Sequence, residues 1–135
     1  MTREDRELLL KDLGGRLPYG VKILDVPVNV VGKLFLISTI DTVQYETAHD
    51  TEMQTLYNIK PYLLPLSSMT EEQKREYNML LTDVPTYEYE GGDIVTVFET
   101  YDNWMSIDYL IANHFDYRYL IEDGLAIDAT GLGIY

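Results

Sequence analysis

The chain has 135 residues, 46% of them hydrophobic, and contains no cysteine. This length predicts a single domain over residues 1–135, with enough apolar residues for an ordinary core. The lack of cysteine excludes disulfides, thiolate zinc sites, iron–sulfur clusters and cysteine nucleophiles. No stretch is apolar enough to span a bilayer, and the N-terminus mixes charges into a short apolar run, which predicts a cytoplasmic protein without a membrane segment.

The net charge of −13 is distributed unevenly. Residues 1–67 contain 7 Lys and Arg against 9 Asp and Glu, whereas residues 68–135 contain 3 against 14. Such an acidic half repels phosphate backbones and has few cations to neutralise them, so direct nucleic-acid binding is not expected. It attracts basic surfaces, although an acidic surface also serves solubility alone.

An N-terminal helix is predicted from Thr2 to Leu13. Thr2 is a suitable cap with Asp5 near the spacing of a capping box, and Leu9 lies on the same apolar stripe as Leu13. The pair Gly14-Gly15 is predicted to end this helix.

A hairpin of two strands and then a third strand are predicted next. Residues 21–31 have the pattern of a strand, and Pro27 within it predicts an edge position or a bulge because proline lacks a ladder donor. A tight turn at Gly32-Lys33 is predicted to lead into a strand over 34–40. A third strand is predicted over residues 42–47.

The middle of the chain is read as irregular before a well-marked helix. Residues 49–54 break the strand pattern, residues 56–59 are predicted as a short strand, and residues 60–69 as an ordered apolar connection. The run TEEQKREYNMLL is predicted as a helix, capped by Ser68 or Thr70.

The C-terminal half begins with a predicted hairpin, in which residues 86–90 and 93–100 alternate across Gly91-Gly92. A helix over residues 102–113, capped by Asn103 or Ser106, is expected to pack on the sheet, with Trp104, Ile107, Leu110 and Ile111 at helical spacing. A short helix over residues 117–123 is predicted to follow. The order of elements predicts an α+β fold, with a single mostly antiparallel sheet of five or six strands and three or four helices packed on one side.

Three blocks of the sequence support a resemblance: LLLKDL..RLPYGVK, IKPYLLPLSSMTEEQKREY and HFDYR.LIE.GLAIDATG..IY. With these blocks the chain resembles an uncharacterised family of small proteins from gut Bacteroidales and their phages or mobile elements. The strands after the first block and the second hairpin are not covered. The family has no established activity, so the resemblance implies only an origin, a bacterial cytoplasm hosting phage genes, and a tendency to bind host components.

One group of residues has the composition of an acid–base site. His114, Asp116 and Arg118 lie together in NHFDYR between two predicted helices, and histidine beside a carboxylate is typical of general acid–base catalysis. A structural turn is the favoured interpretation of the same residues. In that turn Asp116 caps the following helix and His114 bonds a carbonyl of the preceding one.

Metal binding has weaker support. HDTE at residues 49–52 contains metal-ligating residue types, but the chain has only two histidines and the segment is typical of a loop. Glu88, Glu90 and Asp93 resemble a calcium cluster in charge alone, since they lack the ligand loop of an EF-hand. No metal and no cofactor is therefore predicted.

Twelve tyrosines are an excess for this length, and several lie among carboxylates in the acidic half. Tyrosine beside carboxylates suits an interface, although tyrosines also fill strand and helix faces. The favoured hypothesis is a non-enzymatic acidic interaction protein, a phage-encoded modulator that binds a basic surface of a host protein. A small hydrolase or metal-dependent enzyme using His114 and Asp116, and a structural or assembly protein, stay open, as does the oligomeric state. The predicted partner-binding residues are Tyr87, Glu88, Tyr89, Glu90, Asp93 and Tyr101.

Overall fold

A computed structural model describes residues 1–135 of the protein. The chain forms two compact units, the first from Met1–Ser68 with Ile111–Tyr135 and the second from Met69–Leu110. The expectation of one domain stays a prediction. None of the helices has the length and apolar composition needed to cross a membrane.

The structure contains three α-helices and nine strands. The helices are α1 (Arg3–Arg16), α2 (Glu71–Leu80) and α3 (Trp104–Ala112). The strands are β1 (Lys22–Asp25), β2 (Val30–Ile37), β3 (Thr42–Glu46), β4 (Thr51–Thr55), β5 (Ile59–Pro65), β6 (Thr82–Glu90), β7 (Asp93–Tyr101), β8 (Phe115–Asp116) and β9 (Ile127–Asp128). Short 3-10 turns over Leu17–Tyr19, Leu56–Asn58 and Leu66–Ser68 connect some of them.

The predicted α+β class is confirmed, but the sheet differs from the prediction. The first unit contains one seven-stranded mixed sheet in the order β4-β3-β2-β1-β5-β8, with β9 also paired to β5. Strands β8 and β9 run parallel to β5, whereas β1 to β4 pair in antiparallel fashion. Strands β6 and β7 form a separate two-stranded sheet. The parallel strands are two residues long, which is too short for a periodic signal in the sequence.

Helix α1 begins as predicted and ends later than predicted. Thr2 caps it, and the reciprocal bonds between Thr2 and Asp5 form a capping box. The helix continues through Gly14-Gly15 to Arg16, where a 3-10 turn follows. Neither glycine has a positive φ, so neither adopts the left-handed conformation that ends helices at glycine.

The first hairpin turns at a different place from the one predicted. The β1–β2 turn spans residues 26–29, with Pro27 at its second position, and the Asn29 N–H donates to the Val26 carbonyl at 3.3 Å. Asn29 is left-handed, with φ of 55°. Gly32 instead lies inside β2, where a Cβ would come within 2.3 Å of the Tyr45 ring. This glycine therefore reflects close packing and not a turn.

Two strands were missed in the middle of the chain. The predicted break contains β4, residues 56–58 form a turn and not a strand, and the predicted apolar connection contains β5. Strand β5 pairs with three others, and its Leu63 is fully buried. Pro61 and Pro65 obscured it, because prolines in a run argue against a strand.

The core of the first unit joins α1 to the sheet. Leu9 and Leu13 of α1, the predicted apolar stripe, are fully buried. The buried cluster consists of Leu9, Leu13, Val21, Ile23, Leu34, Val43, Tyr45, Leu56, Ile59, Leu63, Leu120, Leu125 and Ala126.

The second unit contains α2, the β6–β7 ribbon and most of α3. Thr70 caps α2 with a capping box to Gln73, as predicted. Asn103 and Ser106 exchange bonds at the start of α3, where the Ser106 N–H donates to Asn103 Oδ1 at 2.9 Å. Leu110 of the predicted apolar face is buried at 1% exposure, whereas Trp104 of the same face is 77% exposed.

The predicted helix over residues 117–123 is absent, and the segment forms turns. Tyr119 is left-handed, with φ of 60°, which interrupts a helical run. The Asp123 N–H still donates to the Tyr119 carbonyl at 3.1 Å, so one isolated turn forms before the left-handed Gly124.

Candidate functional site

The β6–β7 ribbon confirms the predicted second hairpin and extends both of its strands at the open end. Its nine paired positions run from Thr82 opposite Tyr101 to Glu90 opposite Asp93. Gly91 and Gly92 connect the strands with φ of 58° and 89°. A two-residue turn of this kind requires left-handed residues, which glycine supplies without steric strain.

One face of the ribbon is apolar, aromatic and exposed. Pairing places Tyr89 opposite Ile94 and Pro85 opposite Phe98, so their side chains share a face. The exposed fractions are 82% for Tyr89, 74% for Tyr87, 64% for Phe98 and 63% for Ile94. We call this surface the aromatic face; its residues are Pro85, Tyr87, Tyr89, Ile94, Thr96 and Phe98.

The opposite face of the ribbon is partly covered. Thr86, Val95 and Val97 alternate with the residues of the aromatic face and are only partly exposed. The ribbon is therefore two-sided, with its larger apolar side chains on the exposed side.

The structure divides the predicted partner-binding residues between the two faces. Tyr87 and Tyr89 belong to the aromatic face, whereas Glu88, Glu90, Asp93 and Tyr101 lie on the opposite face. Ile94 and Phe98, which are not among the predicted partner-binding residues, complete the aromatic face. Their signal was present in the sequence, because a two-residue Gly-Gly turn fixes which side chains lie opposite each other.

The ribbon is also uniformly acidic. Residues 82–101 contain five acidic residues and no Lys or Arg, and none of the five forms an ion pair. Asp83 accepts a hydrogen bond from Thr100 Oγ1 at 2.9 Å, and Glu99 accepts one from the Tyr101 hydroxyl. The bond to Glu99 raises the pKa of Tyr101. Negative charge on the ribbon is thus left uncompensated.

His114, in the first unit, is held in a constrained position. Its backbone is left-handed, with φ of 66°, and its ring stacks on the Tyr135 ring with centroids 3.6 Å apart. Burial, together with the nearby charges of Arg16 and Lys22, lowers the pKa of His114 to about 4. Its Nδ1 is buried without a hydrogen-bond partner, and the predicted bond to a carbonyl of the preceding helix is made by the backbone. The backbone N–H donates to the Ile111 carbonyl.

Asp116 caps the segment that follows it, as the structural interpretation of this cluster predicted. One carboxylate oxygen accepts the N–H groups of Arg118 and Leu120 at 3.2 and 3.1 Å, and the other accepts that of Ile121 at 3.0 Å. The residue is 7% exposed. Its carboxylate is therefore committed to backbone amides, and the segment that it caps is a turn and not the predicted helix.

Arg118 belongs to a buried ionic group that the sequence analysis did not identify. Its Nε lies 3.5 Å from Asp12 Oδ1, and its Nη2 donates to the Tyr117 hydroxyl at 2.7 Å. Asp12 also accepts from Arg16 Nε at 2.7 Å, and both of those side chains are fully buried. The i,i+4 spacing of Asp12 and Arg16 was the available sequence signal.

The three residues of the possible acid–base cluster, His114, Asp116 and Arg118, therefore do not form a common site. No hydrogen bond joins His114 to Asp116, and each member is engaged by a different neighbour. No group of three or more His, Asp or Glu side chains is arranged to hold a metal ion.

No family model, curated protein or solved structure matches this chain.

Proposed function

We propose that this protein is a non-enzymatic interaction protein whose aromatic face docks on a protein partner. The partner surface is an apolar groove bordered by Lys and Arg. The observation that carries this proposal is the exposure of Tyr87, Tyr89, Ile94 and Phe98 on one side of the β6–β7 ribbon. The resemblance to proteins of gut Bacteroidales and their phages makes a host protein the expected partner.

The aromatic face has the composition of a protein-binding surface. Tyrosine and phenylalanine provide large contact areas at a small loss of conformational entropy, and aromatic residues are enriched at interfaces. Soluble monomers rarely expose contiguous apolar patches unless these have a binding role. The turn and the pairing of β6 with β7 hold the four large side chains in fixed register, which favours specific docking over loose adhesion.

Charge supports a basic partner and disfavours a second copy of the chain. The second unit has ten acidic and two basic residues, a net charge of −8, and the ribbon itself has no cation. Two such ribbons placed face to face repel each other, whereas a groove with a basic rim is attracted and its encounter is accelerated.

The test begins with capture of the tagged protein's partner from a Bacteroidales lysate. The captured protein is then purified and its binding measured by calorimetry against Tyr87→Ser and Phe98→Ser. Each substitution removes a large side chain from the aromatic face, so we expect a loss of at least about tenfold in affinity. Tyr101→Ser is the matched control, because it removes an exposed tyrosine from the opposite face.

Several results would overturn the proposal. Equal losses of affinity for Tyr87→Ser and Tyr101→Ser would place binding elsewhere. So would a partner whose affinity does not change with Tyr87→Ser or with Phe98→Ser. A partner bound equally at low and high salt would remove the role of the acidic residues. Self-association that Tyr87→Ser abolishes, measured by light scattering, would make a second copy the occupant.

A further inference from the structure

A cavity of about 450 Å³ opens in the first unit beside the β3–β4 hairpin. Its size falls within the range of small-molecule sites, roughly 300–1,000 Å³. Apolar side chains of Val28, Val30 and Met53 form part of its lining, together with the carboxylates of Asp25, Asp50 and Glu52. No Lys or Arg lines it.

Asp25 is the most buried carboxylate of this cavity, at 2% exposure at the end of β1. Its two oxygens accept from neutral donors, the Tyr45 hydroxyl at 2.7 Å and the Gln54 amide at 3.0 Å. No cationic side chain lies within ion-pair distance of it. A buried carboxylate without a cation is costly, and a positive group bound in the cavity would compensate its charge.

Tyr45 fixes the orientation of this carboxylate. The residue is 1% exposed, and burial with the hydrogen bond to Asp25 raises the pKa of Tyr45 to about 12. The hydroxyl therefore stays a neutral donor to this carboxylate. Asp50 and Glu52 are exposed and add negative charge beside the cavity.

We propose that this cavity binds a small organic cation, a primary ammonium or guanidinium group carried on a short apolar stem. The cationic group lies toward Asp25 and Glu52, and the stem packs on Val28, Val30 and Met53. This site is separate from the aromatic face and does not depend on the function proposed for it. The same chemistry occurs in free amines and in Lys or Arg side chains of peptides.

A matched ligand series tests the charge requirement. The ¹⁵N-labelled protein is titrated with 1-hexylamine, 1-hexanol and hexanoate, which share a six-carbon stem and differ in charge. We expect saturable shifts of the Gln54 side-chain amide with the amine. The alcohol should bind at least about tenfold more weakly, the equivalent of about 1.4 kcal/mol, and hexanoate should not bind. Equal binding of amine and alcohol, or no shift at Gln54, overturns the proposal.

Two further ligands distinguish the source of the cation. Agmatine represents a free guanidinium, and N-acetyl-lysine methylamide represents a side chain within a peptide. Tighter binding of agmatine identifies a free metabolite, and tighter binding of the capped lysine identifies a peptide. Either result supports the cation site, and failure of both together with 1-hexylamine sinks it.

Substitutions locate the binding. The double variant Asp50→Asn with Glu52→Gln changes exposed residues and should weaken 1-hexylamine by about tenfold or more. Glu46→Gln, an exposed acid on β3 that does not line the cavity, should leave the affinity unchanged. Asp25→Asn should weaken binding further, provided its amide spectrum shows a folded protein. Unchanged affinity in the double variant and in folded Asp25→Asn would place the amine outside the cavity.

Discussion

His114 and Tyr135 stack ring on ring, with planes 7° from parallel. The Tyr135 hydroxyl accepts from the Lys22 N–H at 2.9 Å and donates to the Tyr62 carbonyl at 2.8 Å. Lys22 and Tyr62 are the next opposed positions beyond the Ile23–Pro61 pair that ends the β1–β5 ladder. The hydroxyl bridges them in place of a direct ladder bond, at the point where the two strands separate. Tyr135 thus joins two central strands of the sheet to His114, two residues after the end of α3.

Removal of this hydroxyl should destabilise the protein. In Tyr135→Phe the Lys22 N–H and the Tyr62 carbonyl lose their shared partner, and a part-buried unsatisfied group costs about 1–3 kcal/mol. The free energy of unfolding in urea measures the loss. Tyr119→Phe is the control, because Tyr119 is 63% exposed, and it should change stability by less than about 0.5 kcal/mol. Equal effects at the two positions would show that the bridge is not stabilising.

His114 should make stability depend on pH in mildly acidic solution. Its pKa is about 4 in the folded state against 6.5 for a free histidine, because burial and the charges of Arg16 and Lys22 oppose protonation. Between those values the unfolded chain binds more protons, so stability is present above pH 6.5, falls as the pH drops toward 4, and then levels off. The difference corresponds to no more than about 3 kcal/mol.

The control for this prediction is a pair of histidine substitutions. His114→Asn keeps a residue that tolerates the left-handed backbone and removes the titrating group. Urea unfolding of this variant should lose the slope between pH 4 and 6.5 that the wild type shows. His49→Gln removes the other histidine and should retain it. A slope that persists in His114→Asn would assign it to carboxylates.

The elements predicted well from sequence are those with a complete local signal. The caps Thr2 and Thr70 need only a side chain and a residue three positions on, and the second hairpin needs only alternation about Gly91-Gly92. In each case the interactions that define the element lie within a few residues. Local interactions were therefore sufficient to predict these elements.

The elements that were missed depend on distant partners. Gly32 was read as a turn because its close neighbour, the Tyr45 ring, comes from another strand. Strand β5 was hidden by its prolines, since pairing with β1, β8 and β9 is invisible locally. For the same reason the composition of NHFDYR predicted that His114 and Asp116 could act together, whereas their separate surroundings follow from the tertiary fold. The sequence shows which functional groups a segment contains, but it does not show which residues surround them in the fold.

The buried Asp12–Arg16 pair should be sensitive to loss of one partner. Asp12→Asn leaves the Arg16 guanidinium, which is fully buried, without its carboxylate, and breaking a buried pair costs about 3–5 kcal/mol. Glu7→Gln breaks the Arg3–Glu7 pair, which has the same spacing on α1 but is largely exposed, and should cost less than about 1 kcal/mol. Urea unfolding compares the two variants.

Replacement of both partners should recover most of this loss. Asp12→Leu with Arg16→Met removes the two buried charges together, and apolar replacements of buried ion pairs are often neutral or stabilising. The Phe115 carbonyl then loses its bond from Arg16 Nη2, and Arg118 loses the Asp12 carboxylate, so recovery is incomplete. A double variant as unstable as Asp12→Asn alone would show that the charges are required beyond their mutual pairing.

Two glycines of the first unit should respond to alanine in opposite directions. In Gly32→Ala the new Cβ lies 2.3 Å from the Tyr45 ring and 2.9 Å from the Glu46 carbonyl oxygen, which is backbone. One of the two strands must shift, so we expect a loss of about 2 kcal/mol or more in the free energy of unfolding. Gly14, inside α1, has no atom within 4 Å of its Cβ position, and alanine there should stabilise by about 0.5–1 kcal/mol. Because both changes add one methyl group, opposite signs in urea unfolding isolate the contact with Tyr45, and a neutral Gly32→Ala would mean that β2 and β3 can separate without loss.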